Sequence, residues 1–480
     1  MNVSSKIRKP RAGLFLIGSP RFRNLSGPLR GSYGQKKEKV AEQIAQSLAF
    51  LDLEYPGIIY EREDARKAID RFFTSKVDFI IAEFLSWSED FSWIRFLRDC
   101  PQIPIIFCNV AKPKMDFETT LDEDDFIEYL CSGTLVGSLE ASGSIARVPR
   151  RHVKTVMGTR EQVNEQIRVF SRAAYTRSIL RESNVGLMAN MNEAMWSTYI
   201  DNYDIFTKIG PEIHYLPSSD YKEAIDSLTD VQVKEYADSL TSRFRMMEDV
   251  DYEKFTGCVK ASLALQRLAR ERDIDVFIYN DIDPSTFKVA GCRAGFYHDW
   301  FNENCSVLVP EADTGAGLAT YILKLLSGGL HVNFIEPFHI EDDFGTFAGG
   351  HAGPNDHTDP QWQDNVLIAR DVRFAKTKYR YAGAPFGWYR FSPGLKTVAG
   401  LYEQDGKYKL VCFLAESLPG KHILATYSHS IFRPQVPVKS LFRQLLEIGV
   451  TQHYAITDGD WTAELEALAG IMDFEFHYIK

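Results

Sequence analysis

The sequence predicts an α/β protein, with two doubly wound parallel-sheet domains followed by a mainly antiparallel, β-barrel-like C-terminal domain. Three observations lead there. Short, continuously apolar runs alternate with amphipathic helical segments before Glu311, the pattern of strands covered on both faces by helices. Beyond Glu336 this gives way to longer strand patterns joined by hairpin-turn chemistry. The 480 residues exceed one ordinary domain, and 45% hydrophobic with 13% aromatic residues suffices to bury several cores. We expect domains over residues 1–180, 181–333 and 334–480.

In order, residues 13–18 read as a buried strand, and Lys36 to Leu51 as a helix through Val40, Ile44, Leu48 and Leu51. Gly57 to Tyr60 reads as a strand, Ala65 to Phe73 as a helix, and Val77 to Ala82 as a strongly apolar strand. Helix Phe91–Leu97 and strand Ile103–Cys108 complete the first cycle, and the acidic segment Asp116 to Asp125 reads as a solvated loop and helix start. The second cycle opens with an amphipathic helix, Glu161 to Ala174, and the strand Ser183–Met188. It continues with a helix from Thr256 to Arg272 and the strand Asp275–Tyr279. Tyr389–Phe391, Lys396–Tyr402 and Lys407–Leu414 then read as strands, with Gln404-Asp405-Gly406 as hairpin turn. A helix, Val438 to Ile448, and a last strand-helix-strand close the pattern.

Composition excludes several function classes. A net charge of -10 argues against a nucleic-acid surface, which needs a concentrated basic face. No apolar run reaches the ~18 residues of a membrane helix. Lys6–Arg11 followed by Ala12–Gly18 mimics a signal peptide, but the short apolar part runs into Ser19-Pro20-Arg21, so a buried first strand is expected. Seven cysteines at irregular spacing, with no CxxC pair, indicate reduced thiols in a cytoplasmic protein rather than a disulfide framework or zinc site. No GxxxxGK[ST] or GxSxG motif is present.

The chemistry concentrates between Glu311 and His351. Pro310-Glu311-Ala312-Asp313 precedes an apolar helical segment, Phe334-Ile335-Glu336-Pro337 follows it, and Gly349-Gly350-His351 closes the stretch. Alone, Glu311 is a helix N-terminal charge and Glu336 a loop carboxylate. Together, two carboxylates and an imidazole beside turn-forming residues suit a divalent ion such as Mn²⁺, Mg²⁺ or Zn²⁺.

This series resembles that of the L-arabinose isomerases and the wider arabinose/fucose isomerase group. Arg150-Arg151-His152 through Gly158 is also similar to the end of that family's N-terminal domain. Counting from the helix at Val438–Leu445, the resemblance places the family's fourth ligand on His429, with His422 as the competitor. It implies Glu311 and Glu336 as metal ligands and as the proton-transfer pair, with His351 and His429 as pure ligands. The ion implied is Mn²⁺, with Mg²⁺ or Co²⁺ as substitutes. It further implies a homo-oligomer, trimer or hexamer, with shared active sites. The reaction implied is aldose–ketose isomerisation through an enediol, which needs an ion to polarise oxygens and carboxylates to move protons. A sugar epimerase or dehydratase, or a non-catalytic sugar-binding protein, are the competing functions.

The chain departs from arabinose isomerases twice. Val136 stands where they carry a subunit-bridging histidine, and a long basic loop with Arg21, Arg23 and Arg30 follows the first strand. Arginines there are either solvated or paired with acids of another subunit, or they suit an anionic hexose such as a sulfonated sugar. Asp313 and His339 join Arg21 and Arg23 as expected substrate-side residues, with Asp313 also placed to orient a ligand. His357 either lines the pocket or serves a turn. The remaining histidines (His152, His214, His298, His331, His453 and His477) read as ordinary surface or core residues.

Overall fold

A computed structural model of the chain describes residues 6, 8–23, 26–27, 31–112, 114, 121, 123–148, 152–373 and 383–480. Arg30, Arg150, Arg151 and most of the acidic stretch after Asp116 lie outside them. By its contacts the chain divides into two compact units. One spans Arg8–Ser178 with Gly470–Met472; the other spans Ile179–Ala469 with residues from both chain ends.

The N-terminal unit is built on five parallel strands. They are β1 (Arg11–Ile17), β2 (Asp52–Glu54), β3 (Phe79–Phe84), β4 (Ile105–Val110) and β5 (Val153–Gly158), in the order β2-β1-β3-β4-β5. Helices α1 (Tyr33–Ser47), α2 (Arg62–Thr74), α3 (Phe91–Asp99), α4 (Glu123–Ser132), α5 (Thr134–Arg147) and α6 (Arg160–Leu180) connect them. The apolar runs become strands because helices cover them: β3 and most of β1 are buried throughout. Phe15 stacks on Phe96 at 3.9 Å, and Trp93 on Phe107 at 5.3 Å, in their shared core. The strand expected over Gly57–Tyr60 is only an isolated bridge, Ile17 to Ile59, after Pro56 and a positive-φ Gly57 turn the chain. The paired strand lies earlier, at β2.

The second unit contains a four-stranded parallel sheet and a barrel. Its parallel strands are β6 (Asn184–Met188), β7 (Glu212–Leu216), β8 (Val276–Tyr279) and β9 (Val307–Val309), ordered β9-β8-β6-β7. Helix α7 (Tyr252–Glu271) packs there, and α8 (Thr314–Leu326), buried along its whole length, follows β9. The barrel strands are β10 (Asn333–Glu341), β11 (Thr346–His351), β12 (Gly394–Gln404), β13 (Lys407–Ser417), β14 (Ser428–Pro434) and β15 (Tyr454–Asp458). They run β12-β15-β10-β11-β14-β13, and pairing of β12 with β13 closes the ring antiparallel throughout. The β12–β13 hairpin turns on Asp405 and Gly406, both at positive φ (54° and 73°), as a two-residue turn of this kind requires. The strand expected over Tyr389–Phe391 forms instead at Pro385–Trp388, within a separate small sheet.

The fold is therefore mixed α/β with two parallel sheets and a mainly antiparallel C-terminal region. Among the described residues no helix is long and apolar enough to cross a membrane.

A buried polar network ties α8 to the segment after β11. Asp356 accepts from His331 Nδ1 (2.8 Å), Asn302 Nδ2 (2.9 Å) and Thr358 Oγ1 (2.7 Å). Lys324 of α8, 1% exposed, donates to Asn302. Burial opposes the Asp356 charge, but His331 outweighs it and holds the carboxyl far below the usual range. Burial likewise opposes the His331 charge, and Asp356 overcomes it, raising the imidazole above its ordinary value. A depressed carboxylate stabilises above its unfolded value of about 4, and a raised imidazole below its unfolded value of about 6.5. Stability from the pair is therefore lost as pH falls through the depressed Asp356 value, and again as it rises past the raised His331 value. Asp356→Asn should cost about 3 kcal/mol in chemical denaturation at pH 6, with the loss shrinking toward acid pH.

Candidate metal centre

Glu311 lies on the turn between β9 and α8. It and Ala312 both occupy the left-handed region (φ 64° and 55°), unfavourable for residues with a Cβ. Hydrogen bonds hold the turn: Glu311 N–H donates to Asp281 Oδ1 (2.9 Å), and Asn192 Nδ2 donates to the Glu311 carbonyl (3.0 Å). Asp281 is in turn gripped by Arg293, 2% exposed, which also donates to the Ala352 carbonyl. Helix α8 itself starts at Thr314. Asp313 is its N-cap, accepting from Ala316 N–H at 2.9 Å. Gly315 lets the helix approach the barrel, because a Cβ there would stand 2.3 Å from the Leu401 carbonyl of β12.

Three groups converge. Glu311, His351 and His453 offer ligand atoms that all lie within 4.8 Å of one another, and all three residues are buried. His351 closes β11 and His453 immediately precedes β15. His351 Nδ1 donates to the Ala352 carbonyl (2.6 Å), and its Nε2 stands 3.4 Å from Glu311 Oε1. His453 Nδ1 donates to Asp313 Oδ2 (2.9 Å), and its Nε2 stands 3.3 Å from the other Glu311 oxygen, Oε2. Neither Nε2 has a hydrogen-bond partner, although both are buried. Metal-bound histidines share this arrangement: one ring N–H anchored on a carboxylate or carbonyl, the other nitrogen left for the ion. Glu336 approaches from β10, its Oε2 4.0 Å from His453 Nε2, with its side chain 24% exposed. It sits just before a β-bulge at Pro337/His339. The Phe334 ring packs against both His351 (4.5 Å) and His453 (4.6 Å), fixing their planes. The donor set fits a divalent cation.

Burial works against the Glu311 charge, but His351 and His453 outweigh it and hold the carboxylate ionised. Burial also opposes protonation of His453, yet Asp313 and Glu311 push its pKa up to about 10. Tyr427 is raised to about 12 by burial and by the charges of Glu336 and Glu311.

The other expected residues fall elsewhere. His429 lies on β14 with both ring nitrogens engaged: Nδ1 meets the Tyr427 carbonyl (2.6 Å), and Nε2 accepts from Ile423 N–H (3.1 Å). It is not part of the cluster, and burial lowers its pKa to about 4. His422 packs on Trp388, also outside it. Asp313 orients His453 from behind, and His339 is exposed past the bulge. His357 accepts from Tyr297 N–H. Arg21 pairs with Glu89 (2.5 Å) and Arg23 covers the Tyr60 ring, both in the N-terminal unit. The residue that sequence reasoning passed over is His453. Its signal was its place directly before an apolar strand run, Tyr454-Ala-Ile-Thr457, as His351 directly follows one.

His453→Ala should abolish divalent-cation binding to this cluster, probed with Mn²⁺ in a calorimetric titration of metal-stripped protein, whereas His429→Ala should leave it within about threefold. Asp313→Asn, which removes only the anchor of His453, should weaken binding by about 10–100-fold. No protein-family model matches this chain, and no curated protein matches it.

Proposed function

We propose that the protein is a Mn²⁺-dependent aldose–ketose isomerase, held as a cytoplasmic homo-oligomer and acting on a hexose that bears an anionic group such as a sulfonate. The observation that carries this reading is the pair of buried, unpartnered histidine Nε2 atoms converging on Glu311, with a second carboxylate, Glu336, beside them. Glu311, Glu336, His351 and His453 would hold the ion. Bound there, it would polarise the carbonyl and hydroxyl oxygens of the sugar.

The chain's own groups account for the proton movements. Isomerisation removes a proton from C2, shifts the hydroxyl proton from O2 to O1, and returns a proton to C1. Glu336 is the partly exposed carboxylate of the group, placed to exchange the carbon-bound proton. Glu311, buried and kept ionised by its two histidines, is the second member of the proton-transfer pair. Two carboxylates among the four groups are compatible with Mn²⁺, the probe ion. Free, buried cysteines support a reducing compartment. The anionic substrate rests on Arg21 and Arg23, where an incoming anion would compete with Glu89 for Arg21.

Mn²⁺ restored to the stripped protein should produce a ketose from an acidic aldose. An aldose product would assign a sugar epimerase, and no turnover on any aldose would leave a sugar-binding protein. Glu336→Gln, assayed at saturating Mn²⁺ so that its weaker ion affinity is compensated, should still lower kcat at least about 100-fold. Retained turnover would remove its proton-transfer role. Replacing Arg21 and Arg23 with Ala should raise KM for the acidic sugar and not for a neutral one.

A further inference from the structure

The N-terminal unit contains a cavity of about 450 Å³ whose described lining shares no residue with the candidate metal centre. It opens at the carboxyl ends of β3, β4 and β5, the edge where open α/β sheets receive ligands. Its size is that of a small-molecule site.

The lining is amphipathic in a specific way. Lys37, Lys112 and Arg160 line it with a single carboxylate, Glu83, so positive charge is in excess among the described lining residues. Arg160 grips Glu83 bidentately (3.0 and 2.6 Å), and Lys37 donates to the Leu85 carbonyl (2.6 Å), which fixes both cations at the wall. Val40, Leu85, Val110 and Met157 supply apolar surface.

Two further features point to an anion. Helix α5, 14 residues long, begins at the cavity with Thr134, Leu135 and Val136 in its lining, and no side chain caps it. First-turn N–H groups have no partner within a helix and favour negative charge. Independently, Asn109 at the end of β4 lines the cavity, is 7% exposed, and its side-chain amide makes no hydrogen bond. Its polar atoms are unpaired among the described residues at a residue this enclosed, which leaves them free to bond a ligand in the cavity.

We infer that this cavity binds a small phosphate ester. The phosphate lies among Lys37, Lys112 and the N-terminus of α5, Asn109 bonds a hydroxyl or carbonyl of the ligand, and the apolar wall takes its carbon skeleton. This rests on no assumption about the metal centre.

The test is calorimetric titration of the full, metal-stripped chain with fructose 6-phosphate, adenosine 5′-monophosphate and 3-phosphoglycerate. Fructose, adenosine and inorganic phosphate serve as controls. At least one ester should bind at one site per chain, at least tenfold more tightly than inorganic phosphate and than its unphosphorylated counterpart. Asn109→Leu, and separately the exposed Lys112→Gln, should each weaken it at least tenfold with unchanged thermal unfolding. Glu336→Gln should bind it as the parent does. Three results would overturn the site: no saturable binding by any ester, equal affinity for inorganic phosphate, or affinity lost in Glu336→Gln but kept in Lys112→Gln.

Discussion

The hydrogen bond from the Glu311 N–H to Asp281 is the constraint on which the candidate metal centre depends. Two successive non-glycine residues in the left-handed region cost on the order of 1–2 kcal/mol each, and glycine would remove that cost but also the carboxylate. The chain keeps the carboxylate and stabilises the turn from behind. Asp281 holds the amide, Arg293 holds Asp281, and Asn192 holds the carbonyl. Arg293 also reaches the Ala352 carbonyl, so the same buried cation steadies the backbone next to His351. Strain of this kind persists where surrounding structure over-determines it, and it clusters at functional sites.

The histidines are prepared by the same logic. An imidazole can present either nitrogen, and the choice is made by what the other nitrogen bonds. Ala352 O and Asp313 Oδ2 claim the two Nδ1–H groups, which turns both Nε2 atoms toward Glu311. Asp313 does this while capping α8, so one carboxylate sets both the start of the helix and the orientation of the His453 ring. The barrel supplies the rest. Pairing of Phe334 with Ala455, and of Ile335 with Tyr454, brings His453 beside Glu336 and packs Phe334 edge-on to His351 and tilted against His453. Gly350 permits the neighbouring approach of β11 to β14, because a Cβ there would lie 2.1 Å from the Ser428 carbonyl.

His429 shows how alternation along a strand decides such matters. It pairs with Gly350, one residue from His351, and its ring is taken up by the backbone of Tyr427, Ile423 and Leu424. Residue type and chain order made it as good a ligand as His453, and only its surroundings separate the two.

By itself, the sequence determined what depends on short range. The apolar runs of β1, β3 and β8 dictated parallel strands, Asp405-Gly406 dictated the hairpin, and turn-forming neighbours singled out Glu311, Glu336 and His351. Where a local breaker competed, as at Pro56-Gly57, strand limits shifted by several residues. Tertiary structure alone decided which second histidine meets them. That choice is made by the antiparallel register between β10 and β15, more than a hundred residues apart, and by Asp313, whose partner His453 lies 140 residues further along the chain. Register between distant strands is set by closure of the whole barrel, to which no local pattern of residues gives access.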